Sequence, residues 1–367
     1  MHLLHRVLEQ RPELRDIIHK LSERTANNPL KHALVLDVNP FWLAAYQLDR
    51  AGLPHNALDY LFFPGALWSY GGGGVLDFNR RFPSAEVRTG AFRGHKNADQ
   101  SEPHLNPFLL RIFALPASET DGKDFEYRSQ LVGAARETPL FTIVETQEMA
   151  RLTTAAGDSV FSAPNARGTV GGFLRDDQPG TTYAVTCGHV ISSGASAFTS
   201  AGRLGQCTYA AAPKALPAGS ICSVSCGHMT TLDLALIDIR GASATNIANR
   251  IANIVSPGDI VEMGGATSGL RRYEVGGAVV EHTIAKTCWD RLYLVHAPCS
   301  AGVLPVAVNV AITPPPRGGD SGAWLIRGGS DWAGMVVASN AIFGFALAGT
   351  TIVSEAYTSF GMNLRLA

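Results

Sequence analysis

Three short segments carry residue types that together can transfer an acyl group. Thr186-Cys187-Gly188-His189-Val190 ends an apolar run in a histidine, and Leu232-Asp233-Leu234-Ala235-Leu236 opens another with a carboxylate. Arg317-Gly318-Gly319-Asp320-Ser321-Gly322-Ala323 sets a serine among glycines. A hydroxyl is a weak nucleophile until a base takes its proton; imidazole can be that base, and a buried carboxylate can hold the imidazole in one tautomer. Glycine beside the serine lets a substrate carbonyl approach the backbone, where the N–H groups of Gly319 and Ser321 can receive the charge that develops on its oxygen. Taken singly, these are a common histidine, a strand-opening aspartate and a Gly-rich turn. In the order His, Asp, Ser, with 44 and then 88 residues between them, they read as one catalytic constellation. Asp238 competes with Asp233 for the carboxylate role, but it lies five residues on and faces the other side of an alternating strand.

The elements that must position these residues are short strands. After Ala150 the sequence runs through Gly168–Leu174, Tyr183–Thr186, Leu232–Ile237, Ile260–Met263, Ala278–Val280, Leu292–Val295, Ala323–Ile326 and Gly334–Val337, separated by turn residues such as Asp177-Gln178-Pro179-Gly180. Composition follows the same division. Of the first 150 residues 34 are charged, against 27 of the remaining 217, while 10 glycines precede the cut and 28 follow it. A chain of 367 residues is long for one core, so two modules are expected. In the first, apolar residues from Leu4 to Leu21 recur at helical spacing across Pro12; His32–Val38 and Phe141–Val144 read as strands, Phe41–Arg50 as a short helix, and Gly71–Gly74 as a surface loop without phosphate-cradle context. The uncharged stretch Gly334–Val353 is divided by Gly344 and Gly349 into strand-length pieces, which predicts a buried hairpin rather than a membrane helix. A helix over about 354–364 is expected to close the chain.

Charge is balanced, with 30 basic and 31 acidic residues, and this argues against a nucleic acid or a membrane surface as partner. The N-terminus has no apolar run of signal length before charges recur at Glu9, Arg11 and Glu13, so a cytoplasmic protein with reduced, buried thiols is expected from the six cysteines. Cys222, Cys226 and His228 have three ligand types but no second half of a zinc motif, so neither a metal nor another cofactor is expected.

The segments Thr186–His189, Asp233–Leu236 and Gly319–Gly322 resemble the His, Asp and Ser motifs of the chymotrypsin/trypsin-like serine peptidases, and their chain order is the one found in that fold. Gly258–Gly269 resembles the opening strands of that family's second barrel, and Ala333–Ser339 the strand that lines its substrate cleft. The resemblance covers about residues 155–367. It implies an all-β double β-barrel peptidase domain at 156–367, with barrel 1 at about 165–250 and barrel 2 at about 255–353, preceded by a smaller α/β or α+β domain at 1–155. It further implies His189, Asp233 and Ser321 as the triad and Gly319 and Ser321 as the oxyanion hole. Pro315, Val337, Ala338 and Ser339 would line the substrate site.

Two departures from the family matter. Val190 and Arg317 stand where secreted members carry bridging cysteines, which supports the cytoplasmic expectation. The string Thr169-Val170-Gly171-Gly172 looks like an activating N-terminus, but it lies only 20 residues before His189, so it belongs to the strands leading to that histidine and Asp320 needs another partner, in its own loop. Where trypsin has its selecting aspartate this chain has Pro315, and a desolvated cation without a counter-charge is costly, so an uncharged, small or apolar residue is expected on the acyl side of the cleaved bond. The function expected is that of a bacterial, intracellular serine endopeptidase acting on a protein or peptide substrate, with residues 1–155 docking the substrate or a regulatory protein. The alternative is a sensor or interaction protein on a protease-like scaffold, silent until a partner binds.

Overall fold

The computed structural model describes residues 1–39, 108–115, 123–147, 149–152, 159–163, 166–177, 180–240, 244–298 and 313–367. Two helices open the chain, α1 (Leu3–Gln10) and α2 (Pro12–Thr25). The apolar periodicity from Leu4 to Leu21 is helical as expected, but Pro12 divides it: Pro disfavours the helical region for the residue before it, and Arg11 (φ −125°, ψ 80°) forms the joint. Strands β1 (Lys31–Val38) and β2 (Phe108–Ala114), helix α3 (Lys123–Arg136) and strand β3 (Phe141–Thr146) follow. The expected helix at Phe41–Arg50 and the glycine run at Gly71–Gly74 fall outside the described residues.

The next strands are β4 (Arg151–Leu152), β5 (Ser159–Ala163), β6 (Ala166–Thr169), β7 (Gly172–Asp176), β8 (Thr182–Thr186), β9 (Ser196–Thr199), β10 (Gly202–Ala211), β11 (Met229–Thr230), β12 (Leu234–Asp238) and β13 (Arg250–Ile251). After them come β14 (Ile260–Gly265), β15 (Gly269–Ile284), β16 (Thr287–Trp289), β17 (Leu292–His296), β18 (Trp324–Arg327), β19 (Asp331–Ser339) and β20 (Gly344–Ala348). The chain ends in α4 (Gly349–Phe360) and β21 (Leu364–Leu366). Thus Gly334–Val353 supplies the expected hairpin, β19–β20. The terminal helix begins and ends earlier than the expected 354–364. Gly361 stops it in the left-handed region (φ 69°), and the last residues instead pair as a strand with β7.

Two β assemblies result. One is an eight-stranded antiparallel sheet in the order β21-β7-β8-β12-β10-β9-β5-β6. In the other, β14-β18-β19-β20-β17-β15 closes into a six-stranded barrel through the β14–β15 pairing. The boundary drawn at residue 155 does not coincide with a break in this second sheet. Strand β15 is 16 residues long; its first part belongs to the barrel, and its later part pairs with β1, in register Ala33↔His282 to Leu36↔Ala278, and so carries β1, β2 and β3 into the same sheet. Alternation along β1 explains its burial on both faces. Leu34 and Leu36 face a core with Leu4, Leu14, Ile18, Leu21 and Leu131 from the three helices, while Ala33 and Val35 join the core shared with the two β assemblies.

Within this sheet Arg111 of β2 is 2% exposed; it makes a bidentate pair with Glu145 (3.0 and 2.7 Å) and a longer contact to Asp37 (3.3 Å), and stacks over Phe113 and Phe343. A buried guanidinium is tolerable only when its charge and donors are answered in this way. The expectation of free thiols is corrected at one pair: Cys222 and Cys288 form a disulfide, with Cα atoms 5.2 Å apart. The parallel pairing of β11 with β16 aligns Met229 with Cys288 and brings the loop before β11 over the β15–β16 turn. That pairing also removes Cys222 from any metal site with Cys226 and His228. Cys187, Cys207 and Cys226 are free thiols, and Cys299 lies outside the described residues.

Candidate active site

The β8–β12 register builds the first half of the site. Thr186 pairs with Ala235, so the turn that follows β8 lies beside the residue that precedes β12. The Asp233 carboxylate, fully buried, accepts the backbone N–H of His189 on Oδ1 (2.9 Å) and the ring Nδ1–H on Oδ2 (2.6 Å). Those two bonds fix both the ring's place and its tautomer: with the proton on Nδ1, Nε2 presents its lone pair. Nε2 has no hydrogen-bond partner among the described residues. Asp238, the competing carboxylate, ends β12 and accepts instead from the N–H of Arg240 (2.8 Å).

Ser321 comes from the second assembly, in the turn before β18, and is completely buried. The turn closes through Asp320 N–H to Arg317 O (3.0 Å) and Ala323 N–H to Asp320 O (2.9 Å). Gly319, at φ 100°, occupies the region that only glycine enters at little cost. Gly322, also at positive φ (94°), is required for a second reason: a Cβ there would lie 2.3 Å from Thr169 O and 2.5 Å from Thr186 Oγ1. The serine loop is thus pressed against the strand that leads to His189. Cys187 occupies the contact, its thiol against both Asp233 and Ser321; burial, reinforced by the Asp233 carboxylate, pushes that thiol well above the usual range, so it stays protonated and is no rival nucleophile. The Ser321 hydroxyl donates to Val337 O (3.3 Å), so handing its proton to Nε2 requires a turn about the Cα–Cβ bond.

Two peptide planes set the direction of the proposed oxyanion donors. In a trans peptide the N–H points opposite to the carbonyl. Gly318 O is held by Thr267 Oγ1 (2.7 Å), which fixes the Gly319 N–H, and Asp320 O is held by Ala323 N–H, which fixes that of Ser321. Asp320 anchors the whole loop. Its Oδ1 accepts from the N–H groups of Thr267 (3.0 Å) and Ser268 (3.1 Å), and its Oδ2 from Ser268 Oγ (2.5 Å) and Arg317 N–H (2.8 Å). The expected bond within its own loop is present, and the β14–β15 turn supplies the other three. Thr169, sitting at the end of β6 within the chain, holds the serine loop from the other side: its N–H donates to Ser321 O (2.7 Å) and its Oγ1 to Gly319 O (2.7 Å).

Of the residues expected to contact substrate, Val337 and Ala338 are buried in β19 and Ser339 ends it half-exposed. The Pro315 segment lies across from them, because Pro316 packs on Gly344 and Gly344 is the β20 partner of Ser339. Tyr273 Oη fixes this segment by donating to Pro314 O (2.9 Å). Sequence reasoning missed Thr169, Thr267 and Ser268, whose residue types are common and whose spacing signals nothing until the turns are folded.

No protein-family model matches the chain, and no curated protein does. Among solved structures it is similar to Nocardiopsis protease, at 15% identity and a TM-score of 0.37, over 59% of this chain and 100% of that one. Thermobifida fusca protease A gives 16% and 0.36 over 59% and 100%, and Cellulomonas bogoriensis chymotrypsin 14% and 0.34 over the same shares. The chain itself has a closed six-stranded barrel, a second, eight-stranded β assembly and a small α/β region at the N-terminus.

Proposed function

We propose that the chain is a serine endopeptidase. The observation that carries this is the His189–Asp233 pair, its tautomer fixed and Nε2 without a partner among the described residues, together with a loop that holds Ser321 between two immobilised peptide planes. Ser321 attacks the scissile carbonyl as its proton passes to His189 Nε2, the oxyanion is held by the N–H groups of Gly319 and Ser321, and the leaving amine takes the proton from His189. Water, deprotonated by the same imidazole, then releases the acyl group.

Substrate preference follows from the walls. Pro315, Val337, Ala338 and Ser339 are uncharged, and the two acids behind Phe343, Asp37 and Glu145, are both committed to Arg111. An uncharged, small or apolar residue is accepted on the acyl side, and preferential cleavage after Lys or Arg in a peptide-library digest would refute this. Among the described residues no helix is long and apolar enough to cross a membrane. The compartment is decided by the redox state of Cys222–Cys288: thiol trapping in cells finds the bridge open in a reducing cytoplasm and closed elsewhere. The test of function is a fluorophosphonate probe, which labels the wild type and leaves Ser321→Ala unlabelled; an unlabelled wild type overturns the reading.

A further inference from the structure

Strand β19 ends beside the proposed nucleophile, and its two edges are both occupied there. On one side Ala338 and Ser339 pair with Phe345 and Gly344 of β20; on the other they pair, antiparallel, with Leu152 and Arg151 of β4. Val337, the residue before Ala338, accepts the hydrogen bond of Ser321 Oγ. Because Arg151 lies opposite Ser339 and Leu152 opposite Ala338, the chain in β4 runs toward Val337 and the serine. This is the direction in which the acyl side of a substrate must arrive for its carbonyl to reach Ser321 while its backbone extends along β19. A strand edge accepts one partner at a time.

We propose that β4 is a strand held in cis at the acyl-side substrate position, and that an extended peptide binds only when β4 leaves it. This rests on the endopeptidase reading and adds its regulation: the segment joining the N-terminal region to the catalytic half is a built-in competitor. Tethering gives such a strand an effective concentration on the order of millimolar, so an external peptide of the same backbone chemistry binds with its affinity reduced by the fraction of molecules in which the edge is open. With two residue pairs holding β4, an effect of about tenfold is expected.

The test separates this from catalysis by using the Ser321→Ala chain. In it, Arg151→Pro with Leu152→Pro removes both N–H donors of β4, whereas Arg151→Ala with Leu152→Ala keeps them. A fluorescein-tagged Met-Ala-Arg-Leu amide, copying residues 149–152, binds the proline variant about tenfold more tightly than the parent or the alanine variant. Amide hydrogen exchange in residues 336–339 is slow in the parent and the alanine variant and fast in the proline variant. Should the proline variant fail to fold, replacing residues 149–152 by Gly-Ser-Gly-Ser makes the same comparison through lost strand propensity. Equal peptide affinity, or unchanged exchange at 336–339, in the folded variant overturns the cis strand. Failure of fluorophosphonate labelling in the wild type leaves both readouts in place and overturns only the endopeptidase reading.

Discussion

Replacing Asp320 by Asn tests whether the carboxylate does the work of holding the serine loop. The two side chains have nearly the same shape, so the change is one of hydrogen-bond polarity. With its remaining oxygen on Thr267 and Ser268 N–H, the amide turns its NH2 toward Ser268 Oγ and Arg317 N–H. The hydroxyl can rotate and accept; the Arg317 N–H cannot, and is left facing a donor. The flipped amide is worse, since it faces two backbone N–H groups instead of one. Loss of one charge-assisted bond and the stranding of one backbone donor together cost about 2–4 kcal/mol. For a chain of 367 residues that is a fall in Tm of roughly 3–5 °C. Because the Asp320 carboxylate ties the serine loop to Thr267, Ser268 and Arg317, loosening it displaces the proposed oxyanion donors and the fluorophosphonate labelling rate falls by at least about tenfold, below the 10²–10³ loss typical of deleting an oxyanion donor outright. The assay is differential scanning calorimetry beside labelling kinetics, with Ser268→Ala, which removes a single bond, as the intermediate case. An Asp320→Asn chain within about 2 °C of wild type and labelled at the wild-type rate would refute the anchoring argument.

Arg111→Ala leaves Glu145 and Asp37 buried without their cation, and urea titration is expected to show a loss of about 3–5 kcal/mol; Arg111→Met, with Glu145→Gln to remove the stranded charge, recovers part of it. The Cys222–Cys288 bridge closes a separation of 66 residues, worth about 4 kcal/mol in the chain-entropy account, so dithiothreitol lowers the denaturation midpoint of wild type but not of a Cys222→Ser, Cys288→Ser chain. Burial lowers the pKa of His5 and of His32 from the ordinary 6.5 to about 4. The unfolded chain therefore binds more protons than the folded one between those values; stability is complete above pH 6.5 and declines as pH falls toward 4, by up to about 3 kcal/mol for each histidine. A Tm that stays level from pH 7 to pH 4.5 would contradict this.

The candidate site residues stand out in the sequence because their surroundings are restrictive. A histidine after one strand, an aspartate before another and a serine among glycines occur in that order for few reasons, and the β8–β12 register brings the first two together. The Gly258–Gly269 segment likewise forms the expected β14–β15 hairpin. What escaped was long-range and carried by ordinary residue types. Thr169 and Thr267 look like any strand-end threonine, and the Cys222–Cys288 pairing depends on a parallel β11–β16 register that no local pattern announces. The apolar period through Leu4–Leu21 was real, yet Pro12 broke the helix for a steric reason that periodicity does not weigh. Charge and glycine content changed near residue 150, but composition reports what a segment is made of, and β1 shows that it does not report which strand the segment pairs with.

That pairing gives the molecule the character of a two-piece assembly held by one seam. A nick anywhere between β3 and β5 would not release the N-terminal piece, because β1 remains hydrogen-bonded along β15 and the helices remain over Ala278 and Val280. The two fragments would travel together on a sizing column and separate only in denaturant. Expressed alone, the C-terminal piece would carry the outer half of β15 as an open edge with its apolar face uncovered, an invitation to aggregate, and co-expression of residues 1–150 would be its remedy.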